Sequence, residues 1–256
     1  SSYRISKFVV DWMRERGDMR LPKLAEMMIK LDGKNADPTD LANYKGVIPN
    51  PGATGDNNNT DMEDGSQSRL KSKWYLEPVG PSAMNIGYPE QEFILAEAAL
   101  RGWTEDDPET HYLNGIRAAH EFLGVSSADT RAYLGHEKVQ FKGSDTEKLG
   151  KIITEKYLNF FMQGGNEAYF ELRRTGYPDF SAYLTHNTDQ IYNDGYLPLR
   201  YRYPQSEIDN NNAQVSEAIK RLDKGDDRNS RMWLLQGSDP LFNLSLIHIS
   251  EPTRRS

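Results

Sequence analysis

Carboxylate side chains are concentrated in one short stretch of the sequence, which contains Glu90, Glu92, Glu97, Glu105 and Asp106. Two carboxylates held roughly 5 to 10 Å apart across a cleft are the machinery of glycoside hydrolysis. Acidic residues account for 38 of the 256 positions, so a local cluster does not by itself select a catalytic pair. No grouping of serine, histidine and aspartate for nucleophilic catalysis stands out either. We therefore assign no catalytic residue.

Glu97 is the carboxylate whose position indicates a structural role. It lies between Ala96 and Ala98 on a predicted apolar helix, where an unpaired charge would be costly. Arg117 and Arg173 lie on neighbouring predicted helices and can each offer a bidentate guanidinium group. We predict a structural ion pair between Glu97 and one of these two arginines.

Metal and cofactor chemistry is not indicated. The chain has no cysteine, and none of its five histidines pairs with another at the i, i+4 spacing that zinc hydrolases use. The oxygen-rich run 56–61 resembles half of a calcium loop, but the sixth and twelfth positions of that loop hold Asp61 and Gln67 instead of glycine and glutamate. No glycine-rich phosphate-binding motif occurs. We expect a solvated loop at 56–61, no metal site and no cofactor.

Binding chemistry is indicated in the segment 44–88, which is rich in proline, glycine and asparagine and lacks helical periodicity. A loop of this length inside a domain is usually functional or disordered. Aromatic rings on such a loop can stack on a sugar, while amide and carboxylate groups bind its hydroxyls. The ligand-binding residues that we predict are Trp74, Tyr75, Asn85 and Tyr88. Two roles stay open for Trp74: a binding residue with an exposed ring face, as the binding function requires, or a plug that fastens the loop to the core.

Helical periodicity dominates the rest of the chain and predicts an all-α protein. Caps, prolines and glycines flank the apolar segments, and the expected helices lie near 6–16, 90–101, 108–124, 146–163, 166–176 and 212–222. Their pairing is close to tetratricopeptide spacing, although no strict internal repeat is present. The residues expected to be buried together are Phe93, Ile94, Ala96, Leu100, Ile116, Ile153, Tyr157 and Leu172.

The charge balance limits the partners. With 31 basic and 38 acidic residues the net charge is −7, so no broad basic face for nucleic acid is expected. No apolar run approaches the roughly 20 residues of a membrane-spanning helix.

Several motifs, in order along the chain, resemble those of SusD/RagB-type nutrient-binding outer-membrane lipoproteins. The central match is YPEQEFILAEAALRGW at 88–103, whose A-E-A-A-x-R-G-W form is similar to the SusD-like subgroup. Further matches are WMRERGDMRLP (12–22), YLNGIR (112–117), IITEKY (152–157), NEAYFELRRTGYP (166–178) and LPLRYRYPQSE (197–207). The resemblance covers roughly residues 6–233.

The resemblance implies an all-α fold of tetratricopeptide-like helix pairs that support long irregular loops. It also implies a non-catalytic component of an outer-membrane uptake system for polysaccharide utilisation. Such a protein binds a glycan or another nutrient oligomer and delivers it to a SusC-like, TonB-dependent transporter. It would be a surface-exposed lipoprotein whose lipid anchor is not on this chain. Residues 1–235 are then expected to be a single SusD-like domain fragment, the C-terminal part of a longer protein, and 236–256 a non-native or disordered tail.

Two other functions stay open at this stage. The chain could be a scaffold that binds only the transporter, with the ligand site in a missing N-terminal half, or a helical glycoside-active enzyme. Oligosaccharide binding by this chain alone separates the binding protein from the scaffold. Release of reducing sugar would indicate the enzyme.

Overall fold

The structure is a computed structural model that describes residues 3–29, 37–47, 65–180, 183 and 198–231. These residues form helices and no strand, which confirms the all-α prediction. The α-helices are α1 (Lys7–Glu15), α2 (Leu21–Leu24), α3 (Tyr88–Leu100), α4 (Pro108–Phe122), α5 (Ser127–Gly135), α6 (Asp145–Asn159), α7 (Glu167–Thr175), α8 (Gln205–Asn210) and α9 (Asn212–Ile219). Short 3-10 helices lie at Leu41–Asn43 and Ser72–Trp74.

The described residues up to Ala168 form one compact unit, and those from Tyr169 onward form a second. The division falls within α7. The single domain expected over 1–235 stays a prediction. The solvated loop expected at 56–61 and the tail expected at 236–256 lie outside the described residues.

Helix α3 is the centre of the first unit and packs chiefly against α4 and also against α6. Phe93, Ile116 and Ile153, one from each of these helices, are at most 1% exposed. Close approach of α3 and α4 depends on Gly115, because a Cβ atom there would lie 2.6 Å from the Phe93 ring. This packing confirms the pairing of helices that the periodicity predicts.

The ends of these helices follow local sequence chemistry. Asp107 caps α4 and accepts a hydrogen bond from the Thr110 backbone N–H at 3.0 Å. Ser144 and Glu147 form a reciprocal capping box at the start of α6, in which each side chain accepts from the other residue's backbone N–H. Gly102, at a φ of +70°, allows the left-handed turn that follows α3. The local chemistry therefore sets where each helix begins or ends.

The predicted core is partly wrong. Ile94 is 47% exposed, because it lies beside the α3 stripe of Phe93 and Ala96 that faces the other helices. Leu100 and Tyr157 are only half-buried. The remaining predicted core residues, Phe93, Ala96, Ile116, Ile153 and Leu172, are buried.

A buried ionic network joins distant parts of the first unit. Asp18 and Arg20 lie between α1 and α2, Tyr133 lies on α5, and Glu155 lies on α6; all are at most 1% exposed. Arg20 donates to Asp18 Oδ2 through Nε and to Glu155 Oε2 through Nη2, each at 2.8 Å, while the Tyr133 hydroxyl donates to Glu155. Although burial acts in the opposite direction, the two carboxylates raise the pKa of Arg20 well above its usual value. Arg20 thus neutralises one of the two buried negative charges, and hydrogen bonds within the network stabilise the other.

His120 extends this network from α4 towards α5. Its Nδ1 lies 3.2 Å from the Thr130 hydroxyl, which itself donates to the Ser126 carbonyl at 2.9 Å. Since the hydroxyl proton is committed to Ser126, Nδ1 of His120 is the donor to Thr130. Burial, assisted by the positive charge of Arg20, lowers the pKa of His120 to about 3. His120 is therefore a neutral core residue that fixes the α4–α5 turn.

Candidate functional site

Trp74 does not present a ring face to solvent. Its side chain is buried, with 9% exposure, and its ring meets the Phe161 ring edge-on at a centroid distance of 5.5 Å. The expectation of an exposed ring face is therefore wrong. The plug alternative fits this geometry, because Phe161 follows α6 and the contact fastens the segment to the end of that helix.

Tyr75, the next residue, is half-buried and lies against Tyr3, with 5.0 Å between the ring centroids. The same segment is held further along by Gln163, whose side-chain oxygen accepts from the Met84 backbone N–H at 2.7 Å. Trp74 and Met84 therefore fasten the segment to the residues that follow α6, whereas Tyr75 lies against the start of the chain.

Asn85 and Tyr88, in contrast, are exposed where the loop leads into α3. Tyr88 is 57% exposed, and hydrogen bonding to Glu92 raises the pKa of its phenol. Glu92 is buried and also accepts from His111 Nδ1 at 2.8 Å. We call Asn85, Tyr88, Glu92 and His111 the Tyr88 cluster. It combines the exposed Tyr88 ring and Asn85 with two polar groups, Glu92 and His111, that the α3–α4 pair holds in place.

The Tyr88 cluster has the composition that sugar recognition uses. The exposed ring can stack on an apolar sugar face, and Asn85 offers both a donor and an acceptor to hydroxyl groups. Asp106 Oδ2, 3.9 Å from His111 Nε2, adds an exposed acceptor at the same edge. Whether Trp74, Tyr75, Asn85 or Tyr88 binds a ligand stays a prediction, and the geometry favours the last two.

Glu97 is buried and forms an ion pair with Arg101, which is not one of the arginines expected from the sequence. Arg101, one turn further along α3, donates from Nε to Glu97 Oε1 at 2.8 Å. Arg117 is exposed and donates to the Asn114 side chain at 3.1 Å, so the expectation for Arg117 is wrong. Arg173 belongs to the second unit, and its pairing with Glu97 stays a prediction.

The second unit carries an aromatic group of its own. The rings of Tyr169 and Tyr201 lie 5.6 Å apart in an edge-on arrangement, and the Arg173 guanidinium lies 5.2 Å from the Tyr169 ring centroid. The Tyr169 hydroxyl donates to the Pro198 carbonyl at 2.7 Å, which fixes the ring. Tyr201 is 61% exposed. It is a second exposed tyrosine, against which Tyr88 can be compared.

An open cavity of about 720 Å³ lies in the first unit where α4 turns into α5. Its apolar and hydroxyl lining comes from Val125, Thr130 and Leu134, and its charged lining comes from Arg117, Glu121 and Arg131, among others. None of the ligand-binding residues predicted from the sequence lines it.

In the part of the chain that the structure describes, no group of three or more histidine, aspartate or glutamate side chains is arranged to hold a metal ion. None of the described helices combines the length and apolarity that a membrane span requires.

Sequence reasoning missed three residues of these surfaces. Glu92 was visible only as one of many carboxylates, and His111 only as a histidine without a partner, because their 19-residue separation hides the contact. Arg131 could have been found from its i, i+4 relation to Ser127 on α5, which places both on one helix face.

Comparisons with known proteins point to one family. The family model that matches residues 1–204 is SusD-like_2, described as "Starch-binding associating with outer membrane". No similar sequence is found among curated proteins.

Solved structures are similar over most of this chain. A SusD homologue from Bacteroides fragilis NCTC 9343 is 32% identical, with a TM-score of 0.79 over 91% of this chain and 52% of its own. Another SusD homologue from the same strain is 30% identical, with a TM-score of 0.73 over 89% of this chain and 50% of its own. A chitin-binding protein is 25% identical, with a TM-score of 0.71 over 90% of this chain and 49% of its own. The chain thus spans about half the length of the solved structures that it matches.

Proposed function

Since the chain belongs to the SusD-like family of starch-binding proteins that associate with the outer membrane, we propose that it is a non-catalytic glycan-binding component of an outer-membrane uptake system. It delivers oligosaccharide to a SusC-like, TonB-dependent transporter and is held at the cell surface by a lipid. The observation that chiefly supports this proposal is the Tyr88 cluster, in which an exposed ring lies beside polar groups fixed by the α3–α4 pair.

The chemistry of this cluster supports recognition without bond cleavage. Glu92 already accepts hydrogen bonds from Tyr88 and His111, so its carboxylate orients the ring and the imidazole. The ring then supplies stacking area, while Asn85, His111 and Asp106 supply hydrogen bonds to hydroxyl or acetamido groups. A chitin-binding neighbour makes a chito-oligosaccharide a suitable first probe, beside a malto-oligosaccharide.

Calorimetric titration of the 256-residue chain with chitotetraose and maltotetraose tests the assignment. Tyr88→Ala should weaken binding by at least about tenfold, the equivalent of about 1.4 kcal/mol. Tyr88→Phe keeps the ring and should retain most of the affinity. Tyr201→Ala is the matched control, because Tyr201 is as exposed as Tyr88, and it should change the affinity less than about twofold.

Loss of binding in Tyr201→Ala with Tyr88→Ala unaffected would move the site to the second unit and contradict the assignment. Reducing-sugar release during the same titrations would contradict the non-catalytic part of the proposal. We expect none.

A further inference from the structure

We infer that the cavity between α4 and α5 binds the carboxylate of an acidic sugar through Arg117 and Arg131. This inference rests on the proposed glycan binding and adds a ligand class to it. It concerns a site separate from the Tyr88 cluster, and its evidence is the shape, the charge and the rigidity of the cavity.

The shape suits one or two sugar rings. A volume of about 720 Å³ lies within the range of small-molecule sites, about 300–1,000 Å³. Val125 and Thr130, each 8% exposed, form a closed floor, and Leu134 continues it along α5. An apolar floor with a polar rim accommodates a sugar ring, because the ring has C–H faces and a hydroxyl edge.

The charge of the cavity favours an anion. Arg117 has the neutral Asn114 oxygen as its hydrogen-bond partner, and neither Arg117 nor Arg131 forms an ion pair with any described residue. Glu121 lines the same cavity one turn after Arg117 on α4 but is not within ion-pair distance of it. Two guanidinium groups and one carboxylate leave a net positive charge available to a ligand.

The cavity is also held rigid. The Thr130 hydroxyl is fixed by His120 and by the Ser126 carbonyl, and Ser126 caps the start of α5 by accepting from the Asp129 N–H at 3.1 Å. The turn that joins the two helices therefore cannot move without breaking these hydrogen bonds. The floor of the cavity is thus fixed before a ligand binds, which reduces the entropy cost of binding.

A planar carboxylate fits these groups better than a larger anion. Guanidinium groups bind carboxylates through paired N–H donors. Glu121 can accept from the sugar hydroxyls, whereas its charge adds repulsion against a phosphate monoester, which carries more negative charge than a carboxylate. A sulfate ester has the same charge as a carboxylate but is tetrahedral, so it lacks the planar pair of oxygen atoms that one guanidinium fork matches. The ligand class is therefore a uronic-acid-containing oligosaccharide.

The test is calorimetric titration of the full chain with tetragalacturonate, with chitotetraose as the neutral probe and a sulfated oligosaccharide as the competing anion. Arg131→Gln and Arg117→Gln should each weaken tetragalacturonate binding by at least about tenfold and leave chitotetraose binding unchanged. Arg14→Gln is the matched control, because Arg14 is an exposed arginine on α1 outside the cavity, and it should have less than about a twofold effect. Arg131→Lys should recover only part of the loss, because lysine lacks the planar fork.

The outcomes separate this inference from the proposed function. Chitotetraose binding without tetragalacturonate binding overturns the inference and leaves the proposed function standing. Tetragalacturonate binding that is indifferent to both arginine substitutions also overturns it. Tighter binding of the sulfated probe overturns the carboxylate assignment. Binding of none of tetragalacturonate, chitotetraose and maltotetraose overturns the proposed function, and the inference with it.

Discussion

Trp74 contributes packing to the fold. Its ring is buried edge-on against Phe161, so Trp74→Ala leaves a cavity where the segment 65–88 meets the end of α6. We expect the free energy of unfolding to fall by about 3–5 kcal/mol, as for other buried aromatic residues replaced by alanine. Urea denaturation followed by far-UV circular dichroism measures this change.

Trp103 provides the comparison, because its side chain is 68% exposed. Trp103→Ala should alter the free energy of unfolding by less than about 1 kcal/mol. Equal effects of the two substitutions would show that Trp74 is not a packing residue.

His120 makes the stability of the protein depend on pH. Its pKa is lowered from 6.5 to about 3 in the folded protein by burial first and then by Arg20. Between these values the unfolded chain carries a proton on this imidazole that the folded protein does not. The stability contribution is therefore complete above pH 6.5 and is lost as the pH falls towards 3, by about 1 kcal/mol per pH unit.

His120→Gln removes the titrating group while keeping a donor for Thr130. The substitution has a cost of its own, so the measured quantity is the slope of unfolding free energy against pH between about pH 6 and pH 4. We expect a shallower slope than in the parent chain. Parallel slopes would contradict a neutral, buried His120.

Single residues show how far the sequence could specify the site. The exposure of Asn85 and Tyr88 was predictable, because Asn85 lies in a segment full of breakers and Tyr88 lies where that segment joins a helix. The burial of Trp74 was not, because its partner Phe161 lies 87 residues further along the chain. Arg101 was available to Glu97 at an i, i+4 spacing, but the sequence offers several arginines and does not show which is nearest.

At the scale of elements, the α3–α4 contact positions both the Tyr88 cluster and the start of the cavity. The contact relies on Gly115, which faces the buried ring of Phe93. Gly115→Ala gains about 1 kcal/mol in helix propensity, but the added methyl group overpacks the interface at a cost of typically 1–3 kcal/mol. We expect net destabilisation, visible as a lower midpoint of urea denaturation.

Gly135→Ala tests the same substitution in open space. Nothing lies within 4 Å of a Cβ atom at Gly135, the last residue of α5. This variant should be neutral or slightly more stable. If Gly115→Ala were equally harmless, the close approach of α3 and α4 would not be the reason that glycine is needed at position 115.

Element boundaries were largely predictable, because caps act locally. The helix expected at 108–124 is observed at Pro108–Phe122, and the helix expected at 90–101 is observed at Tyr88–Leu100. The long helix expected at 146–163 ends earlier, at Asn159. Hydrogen-bonded turns follow it as far as Gly164. Which helix contacts which was not predictable, since that depends on residues far apart in sequence.

At the scale of the whole molecule, buried charge is used to join elements that are distant in the sequence. The Asp18–Arg20–Glu155 network connects the α1–α2 turn to α6, and His120 and Tyr133 extend it to α4 and α5. None of these residues reaches solvent, so the network holds the helices of the first unit together and its members cannot themselves bind a ligand. The sequence placed Asp18, Arg20 and Glu155 within family-like motifs but did not indicate their contacts.

Glycan binding by this chain can be measured by calorimetric titration of the folded 256-residue protein with chitotetraose, maltotetraose and tetragalacturonate. We expect saturable binding of at least one of these sugars with a Kd between about 1 mM and about 1 µM, or roughly −4 to −8 kcal/mol, and loss of neutral-sugar binding in Tyr88→Ala. A protein that is folded by circular dichroism but shows no saturable binding of any of the three sugars up to about 10 mM, weaker than about −3 kcal/mol, would not be a glycan-binding protein.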